Sequence, residues 1–175
     1  RDIDVDDLRN HVGVIFQDFI RYNFTAGENI GIGRIEAGAD TARIAHAADR
    51  SLAAEVIAKL PLSYDQPLGR LFPNGRDLSG GEWQKVAIGR AYMREADLVI
   101  LDEPTAALDA KAEAEVFLRF KGLAAGKTAV LISHRFSTVR MADRILVLSG
   151  GKIIESGSHE ELLARRGTYA DLFEL

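Results

Sequence analysis

Short apolar runs separated by amphipathic segments recur along the chain and predict alternating strands and helices. Strand-like runs cover residues 11–16, 98–101, 129–132, 145–148 and 152–155. The second and third of these runs are continuously apolar, which is typical of strands buried on both faces of a parallel sheet. The last two runs are joined by Ser149-Gly150-Gly151, a sequence that favours a hairpin turn.

A mostly helical stretch interrupts this strand pattern. Residues 40–59 are rich in alanine and predict helix, whereas residues 60–76 carry the prolines and glycines of a loop. A second helix is predicted after Gly80-Gly81, because apolar residues recur there on one side. Those residues are Trp83, Val86, Ala87 and Ala91. We therefore expect a helical insert between the first and second strands.

Helical periodicity returns in the second half of the chain. Around 111–123 the apolar positions fall on one helix face. They are Ala112, Val116, Phe117, Phe120 and Leu123. Ser158 and Glu161 have the spacing of a capping box, and a last helix is predicted at 169–175. The whole pattern predicts an α/β fold with a mainly parallel sheet, flanking helices and an inserted α-helical subdomain.

Composition narrows the function classes without identifying one. Apolar residues make up 47% of the 175 residues and charged residues 27%, as in ordinary soluble domains. The net charge is −4 and basic residues are dispersed, so we expect no nucleic-acid partner. Cysteine is absent, which excludes disulfides and thiolate metal sites.

The apolar runs are shorter than the ~20 residues of a membrane span. Because the chain starts at Arg1, we expect residues to precede it, including any membrane part.

The strongest candidate for chemistry is the acidic pair Asp102-Glu103, which follows the apolar run at 98–101. Open α/β sheets bind ligands at the carboxyl ends of their strands. Adjacent buried carboxylates need a cation or a proton relay. One acid can therefore hold a hydrated magnesium ion while the next orients an attacking water. The alternative is a strand that simply ends in solvated acids.

A second candidate is Ser79-Gly80-Gly81 at the start of a predicted helix. Glycines allow close approach to the backbone, and the N–H groups at a helix start favour a phosphate group. The alternative is a plain helix N-cap, since serine is a favoured cap residue.

Together these motifs resemble those of ATP-binding-cassette (ABC) transporter ATPases. Residues 78–84 (LSGGEWQ) resemble the ABC signature motif, and residues 98–104 (LVILDEP) resemble its Walker B strand. Gln17, Asp109 and His134 lie in segments similar to the Q-loop, the D-loop and the switch-histidine segment. The order and separation of these motifs match the family over essentially the whole chain. The segment around Gln17 and the carboxyl-terminal tail are most similar to exporter-type cassettes.

The resemblance implies a truncated P-loop NTPase core and a role for each matching residue. Asp102 and Gln17 would bind Mg²⁺, and Gln17 would also contact the attacking water and signal to the membrane domain. Glu103 would be the general base, and His134 would contact the γ-phosphate of ATP. Asp109 would help to couple the two active sites of a dimer.

The signature residues carry a separate implication. Ser79, Gly80 and Gly81 would hold the γ-phosphate of ATP bound to the other subunit, with Glu82 as a further nucleotide-binding residue. Glu82 stands where the family consensus has glutamine, a change that we expect to be tolerated because Ser-Gly-Gly is intact. The preceding loop at 68–77 also differs from the commonest exporter version, which would alter contacts with the membrane domain.

The largest departure from the family is the missing P-loop, Gly-x-x-x-x-Gly-Lys-Ser/Thr. Gly126-Lys127-Thr128 resembles its end, but Lys121 stands where the first glycine is required. That segment also leads into a predicted strand, whereas a P-loop opens a helix. The resemblance places the P-loop before Arg1. We therefore expect ATP hydrolysis by the longer protein and no activity of this chain alone.

The family architecture divides the chain into three parts. Residues 1–17 would be a core strand with the Q-loop. Residues 18–95 would be the helical subdomain with the signature, and residues 96–175 the α/β core with Walker B, D-loop, switch histidine and carboxyl-terminal helices. The implied partners are a second ABC ATPase domain in a head-to-tail dimer and the transmembrane domain of a transporter. The implied location is the cytoplasmic side of the cell membrane.

Two alternatives to an exporter ATPase stay open. One is a soluble ABC-type ATPase of DNA repair or translation. The exporter-like order of motifs disfavours it, as does a short helical insert without a coiled-coil or zinc insertion. The other is an interaction module that has lost nucleotide binding, which the intact Glu103 and His134 disfavour.

Overall fold

The computed structural model describes residues 3–103 and 110–174 and contains two compact units, Arg1–Val130 and Leu131–Leu175. In chain order the elements are α1 (Val5–Asn10), β1 (Val12–Ile15), α2 (Ala26–Gly31), α3 (Thr41–Arg50), α4 (Ala53–Ile57), α5 (Gly80–Met93), β2 (Leu98–Asp102), α6 (Ala110–Ala124), β3 (Thr128–Ile132), α7 (Phe136–Val139), β4 (Ile145–Ser149), β5 (Lys152–Gly157), α8 (His159–Arg165) and α9 (Thr168–Phe173). Short 3-10 turns lie at Ile35–Ala37 and Ser63–Asp65. Among the described residues, no helix is both long enough and apolar enough to cross a membrane.

One three-stranded sheet has the order β1-β2-β3. β1 and β2 are parallel, and their register joins Val12 to Leu98 and Ile15 to Leu101. Both strands therefore end at the same edge of the sheet. The α/β fold with parallel pairing is the one that the sequence predicts.

β3 differs from the prediction that its apolar run is buried on both faces. Val130 is 45% exposed and Ile132 is 49% exposed, whereas Val99 and Leu101 of β2 are buried. β2 has a neighbour on each side, but β3 is an edge of the sheet that the described residues form. The prediction of burial was wrong for β3 because an apolar run does not reveal how many neighbours a strand has.

The helices α2 to α5 pack together around one apolar core, as expected of a helical insert. Trp83 and Val86 of α5 are buried in this core. The predicted helix at 40–59 is two helices, α3 and α4, because Leu52 has a left-handed backbone with φ 63°. The Ser51 hydroxyl accepts the N–H of Ala53 at 3.3 Å and so helps to start α4.

A buried hydrogen-bond network joins α5 to the segment that follows Gln17. Arg90 Nε donates to the Asn29 carbonyl at 2.8 Å, Nη2 to Asn29 Oδ1 at 2.7 Å, and Nη1 to the Ile20 carbonyl at 2.6 Å. Its guanidinium carbon lies 4.9 Å from the centre of the Tyr22 ring, within cation–π range. Asn29 Nδ2 in turn donates to three carbonyl oxygens, those of Tyr22, Phe24 and Thr25.

Burial lowers the pKa of Arg90 to about 10, which leaves the side chain charged at neutral pH. Its charge therefore lies against carbonyl oxygens and an aromatic face. The side-chain oxygen and nitrogen of fully buried Asn29 are both used in this network. The two residues together fix the path of residues 20–25 on the surface of α5.

The second unit is built on the β4-β5 hairpin. Gly150 and Gly151 have φ 56° and 74°, as a two-residue hairpin turn with two left-handed positions requires. The predicted capping box of α8 is confirmed, with Ser158 N–H bound to Glu161 Oε2 at 3.0 Å and Glu161 N–H bound to Ser158 Oγ at 3.2 Å. The hairpin and the two last helices share a small core, formed by Ile145, Leu162 and Tyr169.

The carboxylate of Glu155 attaches α9 to the hairpin. It accepts the backbone N–H of Thr168 at 2.6 Å and that of Tyr169 at 3.2 Å. These N–H groups belong to the first turn of α9, where no intrahelical acceptor is available to them. A strand side chain therefore takes the place of a local cap.

We expect Arg90→Lys to destabilise the fold by roughly 2–4 kcal/mol, since hydrogen bonds of a charged group contribute about 1.5–3 kcal/mol each. Lysine keeps the charge but lacks the planar fork that reaches Asn29 and Ile20 together. Chemical unfolding of the purified protein measures the loss.

The matched control is Arg9→Lys. Arg9 forms an exposed ion pair with Asp6 at 3.0 Å, and such pairs contribute ~0–1 kcal/mol. Equal, small losses for the two variants would contradict a structural role for the Arg90 network.

Candidate active site

The shared edge of β1 and β2 brings three of the predicted residues to neighbouring strand ends. Ile15 and Leu101 are paired, so Gln17 and Glu103 each lie two residues beyond the same register position. Asp102 is the last residue of β2. Adjacent strands are about 4.8 Å apart, so the backbone at these positions is close. Asp102 and Glu103 are partly buried, and Gln17 is exposed.

Glu103 has a left-handed backbone, with φ 42°. For a residue other than glycine this conformation costs about 1–3 kcal/mol, and such positions cluster at functional sites. The chain therefore leaves the extended conformation of β2 at the second acid.

The donor types at this edge fit a magnesium ion. Asp102 offers carboxylate oxygens and Gln17 an amide oxygen from the neighbouring strand end. Magnesium prefers oxygen ligands and keeps several waters when only one or two protein groups bind it. Asp102 and Gln17 would hold such an ion, and Glu103, the next residue, would not be required as a ligand.

A second set of predicted residues lies at the amino terminus of α5. Ser79 is the N-cap, and its hydroxyl accepts the N–H of Glu82 at 3.4 Å. Glu82 Oε2 accepts both the N–H and the hydroxyl proton of Ser79, each at 2.8 Å. This reciprocal pair is a capping box. The first-turn N–H groups of Gly80 and Gly81 have no intrahelical acceptor and point out of the helix start.

Gly80 leaves this helix start open. Nothing would lie within 4 Å of a Cβ added at Gly80. The space beside the Gly80 Cα is therefore open to an approaching anion. The arrangement has the positive helix end and the exposed N–H groups that phosphate binding uses.

Asp77, three residues before the first residue of α5, is held by contacts that the sequence analysis did not find. Asp77 Oδ1 accepts Trp83 Nε1–H at 3.2 Å and the Leu78 N–H at 3.0 Å, and Arg70 Nε donates to Oδ2 at 3.0 Å. The Trp83 hydrogen bond, reinforced by the charge of Arg70, holds the pKa of Asp77 below its usual value. The sequence does contain a signal for this contact, an aspartate six residues before a helical tryptophan, but the sequence analysis did not use it.

His134 lies in the second unit, between β3 and α7, and is exposed. The turn that carries it is closed by hydroxyl groups. Ser133 Oγ accepts the Arg135 N–H at 3.0 Å and lies 2.8 Å from Thr138 Oγ1, which donates to the Arg135 carbonyl at 2.7 Å. Ser133 and Thr138 are positioning residues that the sequence analysis missed. Asp109 lies outside the described residues.

A family model for the ABC transporter matches residues 1–106, which is more than half of the chain. The chain belongs to the ABC transporter family. The family model therefore covers Gln17, the signature residues and the acidic pair of β2.

Similar proteins cover almost all of the chain. The subtilin transport ATP-binding protein SpaT of Bacillus subtilis is 42% identical over 174 residues, which are 99% of this chain and 28% of that protein. An ATP-dependent lipid A-core flippase of Syntrophus aciditrophicus (strain SB) is 43% identical over 175 residues, 100% of this chain and 28% of that protein. The chain thus spans less than a third of the curated relatives that it matches.

A solved structure supports the same fold. The structure of a bacterial Atm1-family ABC exporter with ATP bound matches 97% of this chain and 29% of its own length. The TM-score is 0.85 and the sequence identity is 39%. At that similarity the fold of this chain is that of an ABC exporter nucleotide-binding domain.

We expect Trp83→Phe to raise the pKa of Asp77, because the indole N–H that favours the carboxylate is lost. The folded-state pKa of Asp77 is depressed, so its contribution to stability is present above the unfolded-state pKa. That contribution disappears as the pH falls through the folded-state pKa. The stability difference that this hydrogen bond causes between parent and variant should shrink at acid pH.

An NMR titration of the side-chain carboxyl carbons measures this change. Glu160 serves as the internal reference, since its pKa is lowered by its own backbone N–H and by Ser158 rather than by Trp83. An unchanged pKa of Asp77 in the variant would contradict the assigned hydrogen bond.

Proposed function

We propose that this chain is the ATP-binding and hydrolysing part of an exporter-type ABC transporter, where ATP hydrolysis drives transport across a membrane. The observation that carries the proposal is the sheet edge that holds Gln17, Asp102 and Glu103 at the ends of two paired parallel strands. The relatives named for subtilin transport and lipid A-core flipping support the exporter class. The same names disfavour the alternative of a DNA-repair or translation ATPase.

In the proposed mechanism the sheet edge prepares the nucleophile. Asp102 and Gln17 would hold a hydrated Mg²⁺, which would supply positive charge to neutralise the phosphates of ATP. Glu103 lies one residue beyond the metal ligand and takes a proton from the attacking water as general base. Glu103 has a left-handed backbone directly after Asp102, and the two acids have separate roles in this mechanism.

The helix start of α5 binds phosphate in the proposed mechanism. Gly80 and Gly81 present backbone N–H groups, and Ser79 adds a hydroxyl. α5 has 14 residues, so about 21 Å of helix separates Ser79 from the connection that leads into β2. This length favours a head-to-tail dimer in which the signature of one subunit binds the nucleotide of the other.

The remaining predicted residues complete the proposal. His134 contacts the γ-phosphate, and Asp109 couples the two sites of the dimer. The P-loop comes from a part of the protein other than these 175 residues, in which the motif is absent. The ATPase lies on the cytoplasmic side of the membrane, where it contacts the transmembrane domain of the transporter.

In the full-length protein, Glu103→Gln should lower ATP hydrolysis by about 100-fold or more, because general base catalysis typically contributes 10²–10⁴-fold. The amide keeps the shape of the side chain but does not accept the proton, so ATP binding should be preserved. Phosphate release and nucleotide binding by the purified protein measure the two effects separately.

The control is Glu95→Gln, which changes an exposed carboxylate that pairs with Arg34 and Arg43. The 175-residue chain alone should release no phosphate above its own Glu103→Gln variant. Near-parental hydrolysis by the full-length Glu103→Gln variant would rule out Glu103 as the base.

The head-to-tail arrangement predicts an asymmetric effect in a dimer with two distinguishable subunits. Ser79→Arg is placed in one subunit and Glu103→Gln in the other. If the signature acts on the partner's nucleotide, each ATP site combines Glu103 of one subunit with Ser79 of the other. Both changes then fall on one of these composite sites, and the other site stays intact. About half of the parental hydrolysis should then remain, less any loss through coupling of the sites.

The matched control places the same two changes in one subunit and leaves its partner unchanged. Each composite site then carries one change, and hydrolysis should fall much further. If the dimer with both changes in one subunit were instead the more active of the two, the signature would act on the nucleotide of its own subunit.

A further inference from the structure

The hydroxyl of Ser79 is already engaged in the capping box. A serine hydroxyl has one proton to donate, and Ser79 gives it to Glu82 Oε2 at 2.8 Å. The same carboxylate oxygen accepts the Ser79 N–H at 2.8 Å. Both groups lie at the helix start that the proposed function assigns to phosphate. A negatively charged side chain of the protein therefore occupies part of that phosphate site.

We infer that Glu82 is a positioning residue that competes with nucleotide phosphate for Ser79 and so sets the affinity of the signature for ATP. The inference rests on the proposed function, since it needs the signature to bind phosphate. In the absence of nucleotide, Glu82 holds the hydroxyl proton of Ser79. When phosphate arrives, that proton turns to it and the Glu82 carboxylate moves away.

The charge of Glu82 makes this exchange costly. Hydrogen bonds to a carboxylate are roughly twice as strong as those to a neutral acceptor. The carboxylate also partly cancels the positive end of α5 and repels a phosphate nearby. Glutamine, the family consensus at this position, has an amide oxygen that keeps the capping box without either effect.

A groove beside the helix start gives the displaced carboxylate a place to go. It has a volume of about 270 Å³ and is lined by Glu82, Asp77, Leu60, Lys59 and Arg76, among others. Lys59 and Arg76 are cationic and Asp77 is anionic, so two positive charges and one negative charge line the groove beside Glu82. In the inferred exchange, Glu82 leaves its position as the cap of α5 and turns towards these cations.

Another capping box of the chain provides a matched control. At the start of α2, Glu28 Oε2 accepts the N–H and the hydroxyl proton of Thr25, each at 2.9 Å. Glu28 N–H is bound to Thr25 Oγ1 at 3.2 Å. This set of hydrogen bonds is the same as that of Ser79 and Glu82. A purely structural effect of glutamate in a capping box must appear equally at both helices.

The test measures the KM for ATP and kcat in the full-length transporter protein. Glu82→Gln should lower the KM by about threefold to tenfold at low salt, with kcat little changed, because a neutral acceptor binds the hydroxyl about half as strongly. The ratio of parent to variant KM should shrink as salt rises, since salt screens the repulsion. Glu28→Gln should change neither constant.

The second position of Glu82 has its own test. Lys59→Met keeps a long side chain but removes a cation from the groove, and it should raise the KM for ATP. In the Glu82→Gln background, the same Lys59→Met change should have no effect, which a double-mutant cycle detects. Binding of ATP to these variants in a Glu103→Gln background gives the same comparison without turnover.

Ser79→Ala separates failure of the inference from failure of the proposed function. If Ser79→Ala raises the KM while Glu82→Gln leaves it unchanged or raises it, the signature binds phosphate and Glu82 does not compete. If Ser79→Ala has no effect on the KM, the proposed phosphate site fails and the inference fails with it. A lower KM for both Glu82→Gln and Glu28→Gln would also overturn the inference.

Discussion

The guanidinium of Arg90 ties α5 to the segment after Gln17, and the arrangement of the first unit depends on that link. Three donors of one side chain bind carbonyl and amide oxygens of Asn29 and Ile20. Since α5 also carries Ser79 at its other end, the path of the Q-loop segment and the direction of the signature helix share one rigid connection. The three hydrogen bonds of Arg90 therefore connect α5 directly to Ile20 and Asn29.

The candidate site has two parts: acidic side chains at the ends of two strands, and backbone N–H groups at the start of a helix. Strand ends supply the acids, because parallel pairing of β1 and β2 brings Gln17, Asp102 and Glu103 to one edge. A helix start supplies the N–H groups for an anion at Gly80. In the proposed function, the length of α5 keeps a cation site and a phosphate site apart within one chain, and a dimer would bring the two sites to one nucleotide.

The sequence was sufficient for the elements whose signals are local. The Ser158 capping box, the Gly150-Gly151 turn and the acidic pair after β2 each depend on a few adjacent residues, and the structure has them where expected. Features that depend on distant residues were not predictable. The exposure of β3 depends on its sheet neighbours. Arg90 binds Asn29 and Ile20, which lie 61 and 70 positions before it in the sequence. Even the break at Leu52 required a backbone angle that leucine rarely adopts.

The contact between Glu155 and the start of α9 has a consequence for how the family can vary. The carboxylate of Glu155 binds the backbone of residues 168 and 169, so this attachment does not depend on which side chain stands at Thr168. Sequence drift at Thr168 therefore leaves the last helix attached. A change of the glutamate, 13 positions earlier in a strand, removes both hydrogen bonds although neither helix residue has changed.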